Sequence, residues 1–191
     1  MVSLMVKRED YAFILDIIPP EQMLVKDPSL IKKGFPRNET YAQAIGDQFF
    51  TLLEITLKPN TTAEVGERVY IGNGPRDKVN KIVRRISYEE LTNEAKSALP
   101  EIVAKIVKTQ EGRFVDFFNK AGPITLKMHS LELLKGIGKK TLWQILEERR
   151  KKPFKSFEDI KGRIGIDPEK LIIDRVLREL QGADQYRLFV G

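Results

Sequence analysis

One short glycine-rich segment contains the residues best suited to chemistry in this chain. It reads Gly136-Ile137-Gly138-Lys139-Lys140-Thr141 and follows Lys135. Gly136 can adopt the left-handed conformation that ends a helix, and the apolar Ile137 is expected to point into a core. A helix that begins at Gly138 leaves its first amide groups without intrahelical partners, and its dipole favours an anion. Together with the neighbouring lysines, this pattern predicts a phosphate-binding turn, named here the first glycine turn (residues 136–138).

Two helices are expected to position this turn. Helical spacing of leucine and isoleucine predicts one helix over Thr125–Leu134 and another over Thr141–Arg150. The residues expected to be buried are Leu126, Leu131, Leu134, Leu142, Ile145 and Leu146. Trp143 lies beside the second stripe and is expected to pack rather than to serve as a stacking platform. A basic run closes the second helix, either as a solvated face or as a phosphate track: Arg149, Arg150, Lys151 and Lys152.

A second turn of the same pattern, the second glycine turn (residues 165–167), follows about 29 residues later. Ser156 is expected to cap a short helix before it. Asp167 and Pro168 are expected to begin a last helix that buries Leu171, Ile172, Val176, Leu177 and Leu180 and ends at Gly182. Asp167 takes the place of the second glycine, and its carboxylate would cap its own helix and repel a phosphate. We therefore expect this turn to be mainly structural, with Lys161 and Arg163 adding charge nearby.

Gly-Ile-Gly-Lys-Lys after a Leu-Leu pair resembles the helix-hairpin-helix motif of DNA repair, replication and recombination proteins. The two turns, with Pro-Phe-Lys-Ser-Phe-Glu-Asp-Ile between them, resemble the tandem helix-hairpin-helix domain of nucleotide-excision nuclease subunits and competence DNA receptors over roughly residues 124–181. This resemblance implies that the turn amides hold a backbone phosphate without reading base sequence. It also implies a monovalent cation on the turn carbonyls of residues 135–138, and no other cofactor is expected.

The first 87 residues predict a small β domain. Alternating and apolar runs indicate five strands: Tyr11–Ile18, Thr40–Ile45, Phe49–Leu57, Glu67–Ile71 and Val79–Ile86. Five short strands with long first and last connections resemble an OB-fold, which implies nucleic acid crossing one face and gripped by two loops. Cations in those loops are Lys26, Lys32, Lys33, Arg37, Arg76 and Lys78. Candidate contacts on the strands are Phe50, Tyr70, Lys81 and Arg85.

The predicted fold class is α+β, with an N-terminal OB-like small β-barrel (residues 1–87), connecting helices (88–122) and an all-α tandem helix-hairpin-helix domain (123–191). The connecting helices are expected over Tyr88–Leu99 after a Ser87/Glu90 capping box, from Pro100 onward, and over Glu111–Lys120. The phenylalanines of the third helix are too apolar to be exposed. The whole chain also resembles an uncharacterised archaeal family described only as nucleotide-binding.

Composition narrows the function classes. The chain has 191 residues and no cysteine, which excludes disulfides, thiolate catalysis and Cys-based zinc sites. No run approaches a membrane span and no signal peptide is evident, so a cytoplasmic location without a membrane partner is expected. Residues 1–95 carry 13 Lys/Arg and 14 Asp/Glu, whereas residues 96–191 carry 20 and 13. The excess positive charge therefore lies in the half that contains the glycine turns, as expected for a nucleic-acid partner.

Catalysis has little support in the sequence. Asp10 and Asp16 share a strand face but lie roughly 20 Å apart, whereas paired metal ions lie only about 4 Å apart. His129, the single histidine, is expected to be a surface residue on a helix. We therefore expect a non-enzymatic protein that binds nucleic acid without sequence preference, DNA in the first place. RNA binding linked to ribosome or tRNA function, a protein–protein module and a nuclease site assembled by folding remain alternatives, and the oligomeric state stays open.

Overall fold

The computed structural model describes residues 7–31 and 39–191, a mixed α+β fold with a five-stranded antiparallel half-barrel sheet and six α-helices. The predicted fold class is confirmed at this level. The backbone divides into two compact units. The β unit comprises the described residues of Met1–Ile102 with Leu180–Gly182 and Phe189–Gly191, and the helical unit comprises Val103–Glu179 with Ala183–Leu188.

The sheet of the β unit has the order β4-β1-β2-β3-β5, with every neighbouring pair antiparallel. Its strands are β1 (Tyr11–Ile18), β2 (Thr40–Gly46), β3 (Leu52–Leu57), β4 (Arg68–Tyr70) and β5 (Val79–Arg85). All five predicted strands are confirmed. The third begins at Leu52 rather than Phe49 because Phe50 has a φ of 53°, which no strand accommodates.

The core of the β unit lies between the central strands. β2 and β3 are buried on both faces. Alanines of β2 lie opposite larger residues of its neighbours, Ala44 opposite Ile14 of β1 and Ala42 opposite Ile55 of β3. Because small and large side chains alternate across the strands, the layers can interdigitate without voids. β4 and β5 are the two edges of the sheet, and β5 exposes Lys81 through Arg85.

A buried carboxylate fixes the connection between β2 and β3. Glu9 is 6% exposed and accepts hydrogen bonds from the amides of Gln48 (2.9 Å) and Phe49 (2.6 Å) and from the Thr51 hydroxyl (3.1 Å). Only glycine fits at Gly46, since a Cβ there would overlap the Glu9 side chain. The connection between β1 and β2 contains α1 (Pro20–Lys26). Three of the cations predicted there lie outside the described residues: Lys32, Lys33 and Arg37.

The predicted break at Pro100 is wrong. Ser87 and Glu90 do form a capping box, but it closes only one 3-10 turn, Tyr88–Glu90. A single helix, α2 (Asn93–Thr109), then begins with the Thr92 hydroxyl accepting from the Ala95 amide at 3.0 Å, and Pro100 lies inside it. Proline deprives the Lys96 carbonyl of its helical partner. Because Pro100 is exposed, water can solvate that carbonyl and the helix continues.

The remaining helices are α3 (Glu111–Lys120), α4 (Lys139–Lys151), α5 (Phe157–Ile164) and α6 (Pro168–Leu180). α3 has the predicted bounds and buries Phe114, Val115 and Phe118. The Ser156 hydroxyl accepts from the Asp159 amide at 3.0 Å, which confirms the predicted cap of α5. Within the described residues, none of the helices combines the length and apolar character needed to cross a bilayer.

Candidate functional site

The first glycine turn has an open helix start. Gly136 has a φ of +85°, and Ile137 is 5% exposed, so the turn is fixed to the core as the sequence predicts. Gly138 precedes α4 with extended backbone (φ −91°, ψ −172°), and its carbonyl accepts from the Leu142 amide at 2.9 Å. No side chain caps this helix, and a Cβ added at Gly138 would meet nothing within 4 Å. The first amides of α4 are therefore accessible to an external anion.

The second glycine turn repeats this backbone but is closed by its own side chain. Gly165 has a φ of +82°, and the Asp167 carbonyl accepts from the Leu171 amide at 3.1 Å, each 29 positions after its counterpart. The Asp167 carboxylate accepts from the Lys170 amide at 3.2 Å, which confirms the predicted cap. The two turns thus share a geometry and differ in whether a side-chain carboxylate already occupies the helix start.

The helix predicted over Thr125–Leu134 is absent. Residues 123–129 form a bridged turn in which Pro123 pairs with His129, and only one 3-10 turn, Ser130–Leu133, follows. Leu131 and Leu134 are buried as predicted, but Leu126 is fully exposed. The reason is a cap within the predicted helix, where the His129 and Glu132 side chains bind backbone amides.

His129 is a buried capping residue, and its predicted surface position is wrong. It is 9% exposed, and its Nδ1 accepts from the Leu131 amide at 3.1 Å. The Glu132 carboxylate in turn accepts from the His129 amide at 2.8 Å. Burial, assisted by the Arg149 charge, lowers the pKa of His129. The histidine therefore caps as a neutral imidazole directly before the first glycine turn.

The lysines around the first glycine turn differ in whether they already form an ion pair. The Lys139 ammonium pairs with Glu132 at 2.9 Å and donates to the Lys127 carbonyl at 3.2 Å. This pair lowers the pKa of Glu132, after the larger effect of the His129 amide. Lys135 and Lys140 are exposed and form no ion pair with any residue that the structure describes. An anion can therefore bind Lys135 and Lys140 without first breaking a salt bridge. The Thr141 side chain is half-buried.

Two predicted cations, Arg149 of the basic run and Arg163 near the second glycine turn, form contacts within the protein. Arg149 donates to the carbonyls of Phe118 (3.2 Å) and Ala121 (2.8 Å), and burial lowers its pKa. Arg163 pairs with Asp159 (3.2 Å) and lies over the Phe154 ring at 4.5 Å. Arg163 also donates to the Glu148 carbonyl of α4 at 2.6 Å. Both side chains therefore join segments of the helical unit, and breaking these contacts would remove a donor from part-buried carbonyls.

The other members of the track remain on the surface. Lys151 forms salt bridges with glutamates of its own helix, and the neighbouring Lys155 ammonium lowers the pKa of Lys152. Arg150 is exposed, as is Lys161 near the second glycine turn. Trp143, expected to pack, is 66% exposed, so that prediction is also wrong.

A buried ion-pair network that the sequence did not indicate holds the first glycine turn. The Arg175 side chain is 3% exposed and pairs with Glu179 at 2.8 Å and Asp184 at 3.0 Å. Its guanidinium also donates to the Leu133 carbonyl (3.2 Å) and the Tyr186 carbonyl (2.5 Å). The one sequence signal for this network is the spacing of four residues between Arg175 and Glu179 on the apolar side of α6.

The turn and this network border an open hollow of about 420 Å³ in the helical unit. Its lining comprises residues 132–138 together with Arg175, Arg178 and Asp184. The Arg178 side chain is 55% exposed and pairs with Asp184 at 2.6 Å. The hollow is therefore lined by three cations and two carboxylates beside the two glycines of the turn.

The β unit has a separate cavity of about 330 Å³ beside its edge strand β5. Its cations are Lys7, Arg8, Arg76, Arg84 and Arg85. Arg85 donates to the Lys7 carbonyl at 2.6 Å, whereas Lys81 is exposed on the same strand outside the cavity lining. Phe50 is fully buried and Tyr70 packs edge-on against Tyr11, so neither aromatic ring lies open for stacking.

Carboxylates do not converge on a metal position in the described part of the chain. No group of three or more His, Asp or Glu side chains there is arranged to hold an ion. Asp16, the one acid on β1, accepts instead from the Thr92 hydroxyl at 2.6 Å, and Asp10 lies just before that strand.

Comparison with known proteins identifies relatives over nearly the whole chain. The family model described as "Protein of unknown function (DUF655)" matches residues 8–191. The uncharacterized protein MJ0038 of Methanocaldococcus jannaschii is 45% identical over 188 residues, 96% of this chain and 81% of that protein. The crystal structure of Af1531 from Archaeoglobus fulgidus is 47% identical, with a TM-score of 0.83 over 96% of this chain and 100% of that chain. The expected resemblance to an uncharacterised archaeal family is confirmed.

The Arg175 network predicts a large difference between two arginines on α6. Arg175→Met leaves Glu179 buried without its partner and should lower the free energy of unfolding by about 3–5 kcal/mol. Arg178→Met removes only an exposed contact to Asp184 and should cost less than about 1 kcal/mol. Urea unfolding of the two variants measures the difference. Equal losses would show that the buried network does not hold the turn.

The buried histidine predicts a pH dependence of stability. Because its folded pKa is lowered, the unfolded chain takes up a proton at a pH where the folded chain does not. The free energy of unfolding should therefore fall as pH decreases through about 6.5, the ordinary value for histidine. His129→Asn retains an acceptor for the Leu131 amide and removes the only histidine, so it should flatten this dependence. Unfolding measured across this range for both proteins checks the sign, and parallel curves would contradict it.

Proposed function

This chain belongs to the DUF655 family of uncharacterised archaeal proteins, and we propose that it is a non-catalytic protein that binds nucleic acid, DNA in the first place, by its phosphate backbone. The observation that supports this proposal is the contrast between the two glycine turns. The helix start at Gly138 is uncapped and sterically open, whereas Asp167 closes its counterpart. The first turn is therefore the position suited to receive an anion.

The physical case for a phosphate rests on three contributions. Accessible amides at the start of α4 donate hydrogen bonds, and the helix dipole adds a partial positive charge. Lys135 and Lys140 are exposed beside them, and the first turn of α4 contains no acidic residue. Lys139 contributes only after it gives up Glu132. None of these groups reads a base edge, so the proposed binding is independent of sequence.

The finer architecture belongs to the same proposal. The 29-residue repeat of a left-handed glycine followed by a helix start supports a tandem helix-hairpin-helix module whose first helix is reduced to one 3-10 turn. The sheet order β4-β1-β2-β3-β5, in which β4 and β5 do not pair with each other within the described residues, supports an OB-like barrel that is not fully closed. A monovalent cation on the turn carbonyls of residues 135–138 remains part of this proposal.

A second candidate function is the binding of single-stranded nucleic acid, RNA included, by the β unit. Its cavity places five cations beside apolar strand residues, an arrangement that suits a single strand of either nucleic acid. A protein–protein module would need exposed apolar side chains. Phe114 and Phe118 are buried and cannot serve this role, whereas Trp143 is exposed.

Salt dependence tests the proposed function. Lys140→Ala should reduce the slope of log affinity against log salt on duplex DNA by about 0.9, the release expected for one phosphate contact. The double variant Lys139→Ala/Lys140→Ala should reduce it by up to about two, as both lysines reach the backbone. Competition between DNA and RNA of matched sequence in the same assay separates the two candidate functions.

Lys120→Ala is the control, since Lys120 is an exposed lysine of the helical unit that pairs with Asp116 of its own helix, α3. It should leave the slope unchanged. A wild-type affinity that does not depend on salt, or an equal effect of Lys120→Ala and Lys140→Ala, would contradict the proposal.

A further inference from the structure

Trp143 is an exposed indole on a helix that packs without it. Its 66% exposure contrasts with Leu142 and Ile145, which are 4% and 0% exposed and carry the packing of α4. Tryptophan offers a large apolar surface and is usually mostly buried. Next to a proposed binding turn, such a side chain is placed to contact the ligand that the turn receives.

The position of Trp143 relative to the turn follows from helix geometry. It lies five residues after Gly138, about 7.5 Å along the helix axis, and three and four residues after Lys140 and Lys139. Residues at these spacings share one helix face. The indole therefore lies on the face that begins at the first glycine turn and carries its lysines.

The charges around the indole select the kind of partner. The first turn of α4 contains cations and no acid, and Glu147, one turn further on, is paired with Lys151 at 3.8 Å. Glu132, the carboxylate that precedes the first glycine turn, is paired with Lys139. An apolar ring next to lysines suits a ligand that combines flat apolar rings with negative charge, as an unpaired nucleotide does.

We propose that Trp143 is a stacking platform for an unpaired base of a single strand whose adjacent backbone phosphate is held at the first glycine turn. This inference rests on the proposed function and deepens it, because it assigns the site to single-stranded segments. Bases in a duplex are already stacked and hidden, so they cannot reach the indole without being displaced. Phosphate contacts alone make no such distinction.

The chain itself supplies the probe, because Trp143 is its only tryptophan. Selective excitation of tryptophan reports on this position alone during titration of the full chain with an unstructured single-stranded DNA oligonucleotide. Stacking should quench the emission, and the quenching should saturate with binding measured by anisotropy of a labelled strand. A duplex of the same length should bind and leave the emission nearly unchanged.

Three variants separate stacking from a general apolar contact. Trp143→Leu keeps an apolar side chain without a π face and should weaken single-strand binding about tenfold, with little effect on the duplex. Trp143→Phe should recover most of that loss. Gln144→Ala, the exposed neighbour on the same helix, is the control and should bind as the wild type does.

The outcomes distinguish the two proposals. Binding of both nucleic acids with unchanged emission, or an unaltered affinity of Trp143→Leu for the single strand, overturns the stacking role and leaves the backbone site standing. If neither nucleic acid binds, both proposals fail. Self-association that rises with protein concentration without any nucleic acid, measured by sedimentation and lost in Trp143→Leu, would assign the indole to contact between protein copies and would also overturn the stacking role.

Discussion

The buried guanidinium of Arg175 is the interaction on which the helical unit depends. It joins Glu179 on its own helix, Asp184 and the Tyr186 carbonyl after that helix, and the Leu133 carbonyl before the first glycine turn. A charge buried to this extent is tolerated only when its hydrogen-bonding capacity is satisfied. The positions of these segments are therefore fixed relative to one another. The contact to the Leu133 carbonyl holds the backbone that leads to the open helix start at Gly138.

This network also suggests why the two glycine turns have diverged. The second turn begins α6, and α6 carries Arg175, whose side chain binds the backbone leading into the first turn. Capping by Asp167 stabilises the start of α6, at the cost of an accessible helix end. In this account the closed turn positions the open one. A repeated backbone geometry thus serves two roles, which differ through one residue, glycine or aspartate.

Patterns that depend on local periodicity were predictable from the sequence. Alternation revealed all five strands, and the caps by Ser156 and Asp167 followed from side-chain chemistry at the expected positions. The failures have physical reasons. Helical spacing of leucines could not show that His129, an unusual capping residue, interrupts the first predicted helix. Pro100 was read as a helix start, whereas its exposed position lets one helix continue through it.

Side-chain environments were harder to predict than elements. Trp143 lies at the margin of an apolar stripe, where a small rotation of the helix decides between burial and exposure. Arg149 and Arg163 appear in the sequence as surface cations, yet each finds acceptors on segments distant in the chain. The burial of Arg175 was equally hard to predict, because its partners Leu133, Asp184 and Tyr186 also lie outside its own helix. Tertiary hydrogen bonds, which no local pattern encodes, decided which cations remain at the candidate site.

The DNA affinity of Gly138→Asp, compared with that of Gly138→Ala, tests the central claim most directly. The backbone at Gly138 accepts any residue and its surroundings are open, so an aspartate there can cap α4 as Asp167 caps α6. The aspartate variant should unfold no more easily than the alanine variant and should lose most of its duplex affinity, because a carboxylate occupies the amides that would hold the phosphate. Equal DNA affinity of the two variants at the same salt concentration would contradict the account.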